Sequence, residues 1–109
     1  MVEKADRIRE MNDSFRQSFV GGQVLLSMGV DRLPPKTKQA VLTKVRTYDA
    51  FNEGNDPSGE HNIITVEHDG ERYLAKMDYY APDLGHSSDD PADQSKTFRV
   101  LTVMKADER

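Results

Sequence analysis

The stretch that decides the fold is HNIITVEHDGERYLAKMDYY, residues 61–80. Two runs rich in β-branched and aromatic residues flank the pair Asp69-Gly70. An Asp-Gly pair between two such runs is typical of a two-residue turn that joins antiparallel strands. We therefore predict a β-hairpin whose strands cover residues 61–68 and 71–80.

The two-residue turn also determines which side chains share a face of the hairpin, because residues opposite each other lie on the same side. His68 then faces Glu71 beside the turn, and His61 faces Asp78 at the open end. A bulge of one residue would shift this pairing. The face that we expect to be buried carries Ile64, Val66, Tyr73, Ala75, Met77 and Tyr79, and the opposite face carries His61, Arg72, Lys76 and Asp78.

Two amphipathic helices are predicted in the first half of the chain. Apolar residues recur at steps of three and four over residues 5–19, and Gly21-Gly22 follows as a helix stop. Residues 33–48 repeat this pattern, and Pro34-Pro35 suits the start of a helix. Between the helices, residues 23–30 alternate in hydropathy, which predicts a strand.

A last strand is predicted over residues 97–105, where apolar residues dominate again. The element order is therefore α-β-α-β-β-β, which predicts the α+β class. We expect a mainly antiparallel sheet of about four strands with two helices packed on it. A chain of 109 residues suits a single domain with one core, so we assign residues 1–109 to one domain.

The composition narrows the functional classes. Hydrophobic residues make up 36% of the chain and charged residues 31%, which is polar but still typical of a globular protein. The net charge of −4 argues against bulk nucleic-acid binding. The chain has no cysteine, which removes thiolate nucleophiles and cysteine-ligated zinc and fits a cytoplasmic protein. We expect no cofactor, no signal peptide and no membrane association, since no apolar run approaches roughly 18 residues.

The acidic residues concentrate in two loops that contain neither lysine nor arginine. Both loops attach at the open end of the predicted hairpin, so we expect one end of the sheet to be acidic. Together the loops carry a charge of −8, while the rest of the chain has an excess of four basic residues. Loop 49–62 holds Asp49, Glu53, Asp56 and Glu60, and loop 81–95 holds Asp83, Asp89, Asp90 and Asp93.

His61 and Asp78 form a candidate catalytic pair. A carboxylate on one imidazole nitrogen fixes the tautomer of the ring and raises its basicity. The nucleophile would be Ser58 or a bound water. The same two residues would equally form a cross-strand polar pair on a solvated face, and no catalytic motif surrounds them. We regard the structural role as the commoner explanation of such a pair.

His61, Asp78 and His86 are candidate metal ligands, because imidazole and carboxylate groups bind divalent ions. Their spacing matches neither a calcium-binding loop nor a zinc-binding HExxH helix. Asn55-Asp56-Pro57 and Asp90-Pro91 are typical turn sequences, in which the Asx side chain bonds to the backbone and proline sets φ. We therefore expect turns at these positions before a metal site.

Two further surfaces are candidates for binding. The helix over residues 33–48 is basic, but its lysines surround the apolar stripe, which indicates a solvated amphipathic helix and not a surface for nucleic acid. The other surface is the second face of the sheet, opposite the buried face of the hairpin. We expect either the first helix or another chain, as in a homodimer, to cover its apolar residues Ile63, Leu74, Leu101 and Val103.

Several segments, taken in order, resemble a known family. They are RIREMNDSFR (7–16), GGQVLLSMGV (21–30), NDPSGEHN (55–62), DGERYLAKMDYY (69–80) and DPADQSKTFRVLTVMKADE (90–108). Together they resemble the uncharacterised bacterial family called domain of unknown function 3768. The family has no assigned activity, so the resemblance implies no catalytic residue. It implies a protein of the bacterial accessory genome, associated with plasmids or other mobile elements.

The matching positions are those that we would test first. In this chain Asn62 and Ile63 stand where the family usually has an acidic and an aromatic residue, so no carboxylate role carries over to position 62. The positions that match the family pattern are Asn55, Asp56, Pro57, Gly59, Glu60, His61, Asp78 and Tyr79.

The acidic loops favour a small non-enzymatic binding protein, and the family resemblance implies an inhibitor or adaptor, including one with an anti-defence role. Its acidic end would bind a basic protein surface or imitate the phosphates of nucleic acid. One alternative is a small hydrolase or metal-dependent enzyme that uses His61, Asp78 and Glu60. Another is a homodimeric structural module joined through the second sheet face. The residues that we expect to bind a partner are Asn55, Asp56, Glu60, His61, Asp78, Tyr80, Asp89 and Asp90.

Overall fold

A computed structural model of the protein describes residues 3–109. Within this range the chain forms three α-helices, four strands and two short 3-10 turns, and the α+β class is confirmed. The helices are α1 (Lys4–Ser18), α2 (Met28–Asp31) and α3 (Pro35–Thr47). The strands are β1 (Gly22–Leu26), β2 (Ile63–His68), β3 (Glu71–Tyr80) and β4 (Phe98–Lys105), and the 3-10 turns are Gln94–Lys96 and Ala106–Glu108.

The four strands form one sheet in the order β1-β4-β3-β2. The pairs β2–β3 and β3–β4 are antiparallel, as expected, and β1 runs parallel to β4. From β1 at one edge, the chain passes through α2 and α3 to β2 at the other edge. Because β1 is parallel to β4, and β4 and β2 are both antiparallel to β3, β1 and β2 run in the same direction.

The hairpin at Asp69-Gly70 has the predicted register, with His68 opposite Glu71. Asp69 has a φ of 51° and Gly70 a φ of 78°. Positive φ at both central residues is what the tight hairpin turn requires, and Gly and Asp tolerate it better than most residues. The face predicted to be buried is buried, and it carries Ile64, Val66, Tyr73, Ala75 and Met77, with Tyr79 partly buried beside them.

Both long helices supply apolar side chains to the core on that face of the sheet. Phe15 comes from α1, and Val41 and Val45 come from α3. Val30 of the short helix α2 also joins the core and is completely buried. Each side chain of this kind stabilises the fold by roughly 1.5–3 kcal/mol when it leaves water. The core therefore fixes α1 against the sheet, and this determines where the polar side chains of α1 point.

The predicted strand over residues 23–30 is too long. The strand β1 ends at Leu26, and Met28 already belongs to α2. The reason lies in Ser27, whose hydroxyl oxygen accepts a hydrogen bond from the Val30 backbone nitrogen at 3.2 Å. This is the contact of a helix N-cap, and it replaces the extended backbone that the alternation of apolar residues suggested.

The predicted orientation of Leu101 and Val103 is also wrong. Leu101 lies opposite Met77 and Val103 opposite Ala75, so both point into the core and are buried. The register between β3 and β4 decides this, because opposite residues share a face of the sheet. Ile63 lies on the second face, as predicted, and is 45% exposed.

Candidate functional site

Loops 49–62 and 81–95 lie at the same end of the sheet. Antiparallel pairing brings the start of β2, the end of β3 and the start of β4 together there. Polar side chains of α1 reach this end as well and bind both loops directly or through β4. The predicted convergence of the two acidic loops is therefore present, and α1 adds partners that the strand pairing alone did not reveal.

Asn12 of α1 is the centre of these contacts and is completely buried. Its Nδ2 donates hydrogen bonds to the backbone oxygen of Glu60 at 3.0 Å and to Tyr79 Oη at 2.8 Å. Its Oδ1 accepts a hydrogen bond from Arg99 Nε at 2.8 Å. One amide therefore connects loop 49–62 with the end of β3 and the start of β4.

Tyr79 and Arg99 are two titratable groups beside this amide. Burial is the main cause that raises the pKa of the Tyr79 hydroxyl far above its ordinary value, so the hydroxyl stays protonated. It donates to Glu60 Oε1 at 2.9 Å. Burial lowers the pKa of Arg99, whose Nη2 donates to the backbone oxygen of Pro91 at 2.6 Å. The guanidinium carbon of Arg99 also lies 5.4 Å from the centre of the Tyr79 ring.

His61 lies against Asp13 and Asp56, so the predicted pair of His61 and Asp78 is wrong. Its Nδ1 is 2.9 Å from Asp13 Oδ1, and its Nε2 is 3.5 Å from Asp56 Oδ2. Its ring stacks on Phe51, with centroids 3.6 Å apart and planes 4° from parallel. Asp78 instead lies 3.6 Å from Lys76 Nζ.

The backbone explains why His61 does not face Asp78. His61 has a φ of 54°, which is left-handed, and β2 begins only at Ile63. The backbone nitrogen of His61 donates to Asp56 Oδ1 at 3.0 Å. This bond turns the chain out of the sheet two residues before the strand begins, so the imidazole points towards α1.

Arg16 joins the other side of Asp13. It is buried, and its Nη2 donates to Asp13 Oδ1 at 2.9 Å. Its Nη1 donates to the last backbone oxygens of α3 and the residue after it, those of Val45, Arg46 and Tyr48, at 3.0–3.1 Å. A cation is favourable at a helix C-terminus, where the carbonyl oxygens lack partners. Asp13 therefore links this cation to the imidazole of His61.

The sequence interpretation did not identify Asn12, Asp13, Arg16 or Arg99. A signal was present for two of them. Asn12 and Arg16 lie four and eight residues after Ile8, so they fall on the apolar stripe of α1. Arg99 faces the core together with Leu101 in β4, but only the register with β3 shows this. A polar side chain on a core-facing position indicates a buried partner.

Residues 26–108 match the family described as Protein of unknown function (DUF3768). This chain belongs to that family. No curated protein and no solved structure matches it. In this DUF3768 protein the matched range includes both acidic loops and the strands β2, β3 and β4, whereas Asn12, Asp13 and Arg16 precede it.

The residues predicted to bind a partner fall into two groups. Asn55, Asp56 and Glu60 bond within the protein: Asn55 Nδ2 donates to the Ala50 oxygen, Asp56 accepts from the His61 backbone, and Glu60 accepts from Tyr79. Asp90 is half-buried and lies 3.6 Å from Lys4 Nζ.

Asp89 and Tyr80 are exposed. The exposed carboxylates of the two loops are Asp49, Glu53, Asp83 and Asp89.

The candidate metal ligands are not brought together. His61 contacts Asp13 and Asp56, and His86 lies 3.6 Å from Asp83. Over residues 3–109, no group of three or more histidine and acidic side chains is placed to hold one metal ion. In the same range, no helix is long and apolar enough to cross a membrane.

Proposed function

We propose that this DUF3768 protein is a non-enzymatic binding module whose acidic sheet end binds a basic surface of a partner protein. The observation that carries the proposal is the convergence of the two loops, which contain no lysine or arginine and expose Asp49, Glu53, Asp83 and Asp89 at one end of the sheet. Clustered charge of one sign steers a complementary partner and orients it on approach. The biological role that we propose is that of an inhibitor or adaptor in the bacterial cytoplasm, encoded on a mobile element and acting against a host defence protein.

The inward bonds of the same loops support this proposal. Asp56 bonds to the His61 backbone within loop 49–62, and Glu60 bonds to Tyr79 of β3. The neighbouring exposed carboxylates are therefore carried on a fixed backbone. A surface that is ordered before binding loses less conformational entropy when the partner arrives. Tyr80 is exposed beside the second loop and offers an aromatic contact at the edge of this surface.

Reversing the exposed charges tests the proposal. The variant carries Asp49→Lys, Glu53→Lys, Asp83→Lys and Asp89→Lys, which spares Asp56, Glu60, Asp90 and Asp93. Of the four reversed carboxylates, Asp83 alone bonds to its own loop, where its Oδ1 accepts a hydrogen bond from the Gly85 backbone nitrogen at 2.9 Å. We expect it to lose the partner that the wild-type protein captures from its native host, identified by mass spectrometry. We also expect added salt to weaken wild-type capture, because salt screens exposed charges.

The matched control reverses four acids near the other end of the sheet, with Asp31→Lys, Glu67→Lys, Glu71→Lys and Asp107→Lys. It changes the net charge by the same amount and should keep the partner. Capture of the same partner by the loop variant at wild-type strength would refute the proposal. Loss of the partner by both variants would attribute binding to net charge and not to the loops.

A small hydrolase built around His61 is a second candidate. The contact of its Nδ1 with Asp13 is the observation that favours it, because a carboxylate in that position orients an imidazole base. The hydroxyl of Ser58 donates to Asn62 Oδ1 at 3.3 Å, so it is engaged away from the imidazole, and the attacking group would have to be water. Hydrolysis of generic ester or phosphodiester substrates that disappears in His61→Asn would favour the enzyme.

A homodimer through the second sheet face is a third candidate. Ile63 lies there beside Leu74 and Met104, and the three line a cleft of about 310 Å³ that also reaches Glu108 of the C-terminal 3-10 turn. Apolar surface of this kind is typical of contacts with another chain. Sedimentation at high protein concentration distinguishes the two states, and a monomeric mass would remove this candidate.

A further inference from the structure

A cleft of about 170 Å³, separate from the apolar cleft beside Ile63, lies between α1 and the start of β4. Its lining includes Glu10, Ser14, Phe15, Gly21, Gln94 and Arg99. Arg99 is only 3% exposed and lines this cleft. The cleft has room for a few water molecules, at roughly 30 Å³ each.

The Arg99 side chain has more N–H donors than its hydrogen bonds use. A guanidinium has five N–H groups, and within residues 3–109 Arg99 uses Nε on Asn12 and Nη2 on the Pro91 oxygen. Its Nη1 makes no hydrogen bond within residues 3–109, and this nitrogen is not fully buried. Nη1 therefore keeps two N–H groups without a protein acceptor, on a side chain that lines the cleft.

The other buried arginine shows how unusual this arrangement is. Arg16 is buried to the same degree, yet its charge is met by the Asp13 carboxylate and by the C-terminus of α3. Within residues 3–109, no carboxylate lies within ion-pair distance of Arg99, and its bonded partners are an amide, a backbone oxygen and the Tyr79 ring. The Glu60 carboxylate is farther away and only partly offsets the effect of burial on the pKa of Arg99. A buried charge is normally paired with an opposite charge, because losing its hydration is costly.

We propose that this cleft binds a small oxyanion, a carboxylate or phosphate group, on Arg99 Nη1. The planar guanidinium fork fits the oxygens of both groups, and such bonds are among the strongest that proteins form. Ser14 and Gln94 also line the cleft, and both side chains carry donor groups. Glu10 at the rim opposes the anion and limits affinity. Gln94 and the Pro91 oxygen belong to loop 81–95, but none of the four exposed loop carboxylates is among the residues that line the cleft.

A titration of the wild-type protein followed by NMR tests the proposal. Sodium phosphate is added in one series, sodium acetate in a second and sodium chloride in a third, all at constant ionic strength. We expect saturable shifts of the Arg99 Nε–H and Gly21 amide signals with phosphate or acetate and none with chloride. The series that saturates identifies which oxyanion the cleft accepts. Shifts that are absent, or that rise without saturation in all three series, would overturn the proposal.

Two variants keep Arg99 in place and so avoid unfolding the protein. Ser14→Leu fills the mouth of the cleft and should weaken binding about tenfold or more, the usual effect of losing a hydrogen bond to a charged group. Glu10→Gln removes the opposing charge and should strengthen binding by up to about fivefold. Wild-type affinity in Ser14→Leu, or weaker binding in Glu10→Gln, would place the anion elsewhere and contradict the proposal.

Discussion

Loops 49–62 and 81–95 carry the same charge, but the protein holds them in different ways. Each has four acidic residues and no lysine or arginine. Loop 49–62 is fixed by α1, since Asn12 binds the Glu60 backbone and Asp13 binds His61, each 48 residues away in sequence. Loop 81–95 is fixed mainly by neighbours, such as the bonds from Ser88 Oγ to Lys96 and from Thr97 Oγ1 to Asp90, eight and seven residues apart.

The difference shows that the charge of a loop does not determine what its carboxylates do. The Asp56 side chain in loop 49–62 is only 6% exposed and is bonded to the backbone of its own loop. The Asp89 side chain in loop 81–95 is exposed and, within residues 3–109, makes no side-chain hydrogen bond. A carboxylate that holds a loop cannot be reversed without disturbing the fold, whereas an exposed one is free to meet a partner. The two loops should therefore respond differently to substitutions in α1.

The largest effect is expected from Asn12→Ala. It leaves Arg99 Nε, the Tyr79 hydroxyl and the Glu60 backbone oxygen without their buried partner. Because unsatisfied buried polar groups are costly, we expect the free energy of unfolding to fall by about 3 kcal/mol. Urea unfolding measures this loss. Hydrogen exchange should show the amides of loop 49–62 losing more protection than those of loop 81–95.

The control for this substitution is Gln17→Ala on the exposed side of the same helix. We expect it to change the free energy of unfolding by no more than about 0.5 kcal/mol, as for most surface substitutions. A loss below about 1 kcal/mol for Asn12→Ala would show that the amide is not the link between the loop and α1. Equal loss of protection in both loops would remove the distinction between them.

The next effect compares one histidine from each loop. His61 stacks on Phe51 and bonds to Asp13, whereas His86 is exposed and lies 3.6 Å from Asp83. We choose asparagine for both positions, because His61 has a left-handed backbone that asparagine tolerates. His61→Asn should lower the free energy of unfolding by about 2 kcal/mol, through the lost stack and the lost bond to Asp13.

His86→Asn is the matched variant in the second loop, and it should alter the free energy of unfolding by less than about 0.5 kcal/mol. Thermal and urea unfolding of the two proteins give the comparison directly. If both histidines prove equally dispensable, the contacts of His61 with α1 contribute nothing to stability. If His86→Asn lowers the free energy of unfolding more than His61→Asn does, the second loop and not the first depends on its histidine.

Local patterns predicted much of the fold. The hairpin follows from Asp69-Gly70 and from the alternation on either side of it, and the helices follow from the spacing of their apolar residues. The buried face of β4 was predicted wrongly, because it depends on the register with β3 across the 15 residues of loop 81–95 and not on β4 itself. The error in Leu101 also concealed Arg99, which points to the same face.

The candidate site was harder to predict for the same reason. The pairing of His61 with Asp78 assumed that the strand continues outward to residue 61. The carboxylate of Asp56 ends it earlier by binding the His61 backbone, and only the position of α1 decides that Asp13 receives the imidazole. Such contacts join residues far apart in sequence, so the spacing of residues within either segment does not predict them. A polar residue on the apolar stripe, such as Asn12, indicates that a partner exists but not which one.

The smallest expected effect concerns Asp93 in loop 81–95. Its Oδ1 accepts hydrogen bonds from the hydroxyl and the backbone nitrogen of Ser95, at 2.7 and 2.9 Å, and these lower the pKa of its carboxyl. A lowered pKa means that the contact stabilises the fold above the ordinary aspartate pKa and that this contribution is lost as the pH falls through the lower value. Ser95→Ala should move the pKa of Asp93 back towards its ordinary value, as measured by NMR titration of the carboxyl carbon. Asn12→Ala should leave it unchanged, because both bonds come from a residue two positions away. An Asp93 titration that shifts as much in Asn12→Ala as in Ser95→Ala would mean that α1 controls the second loop too.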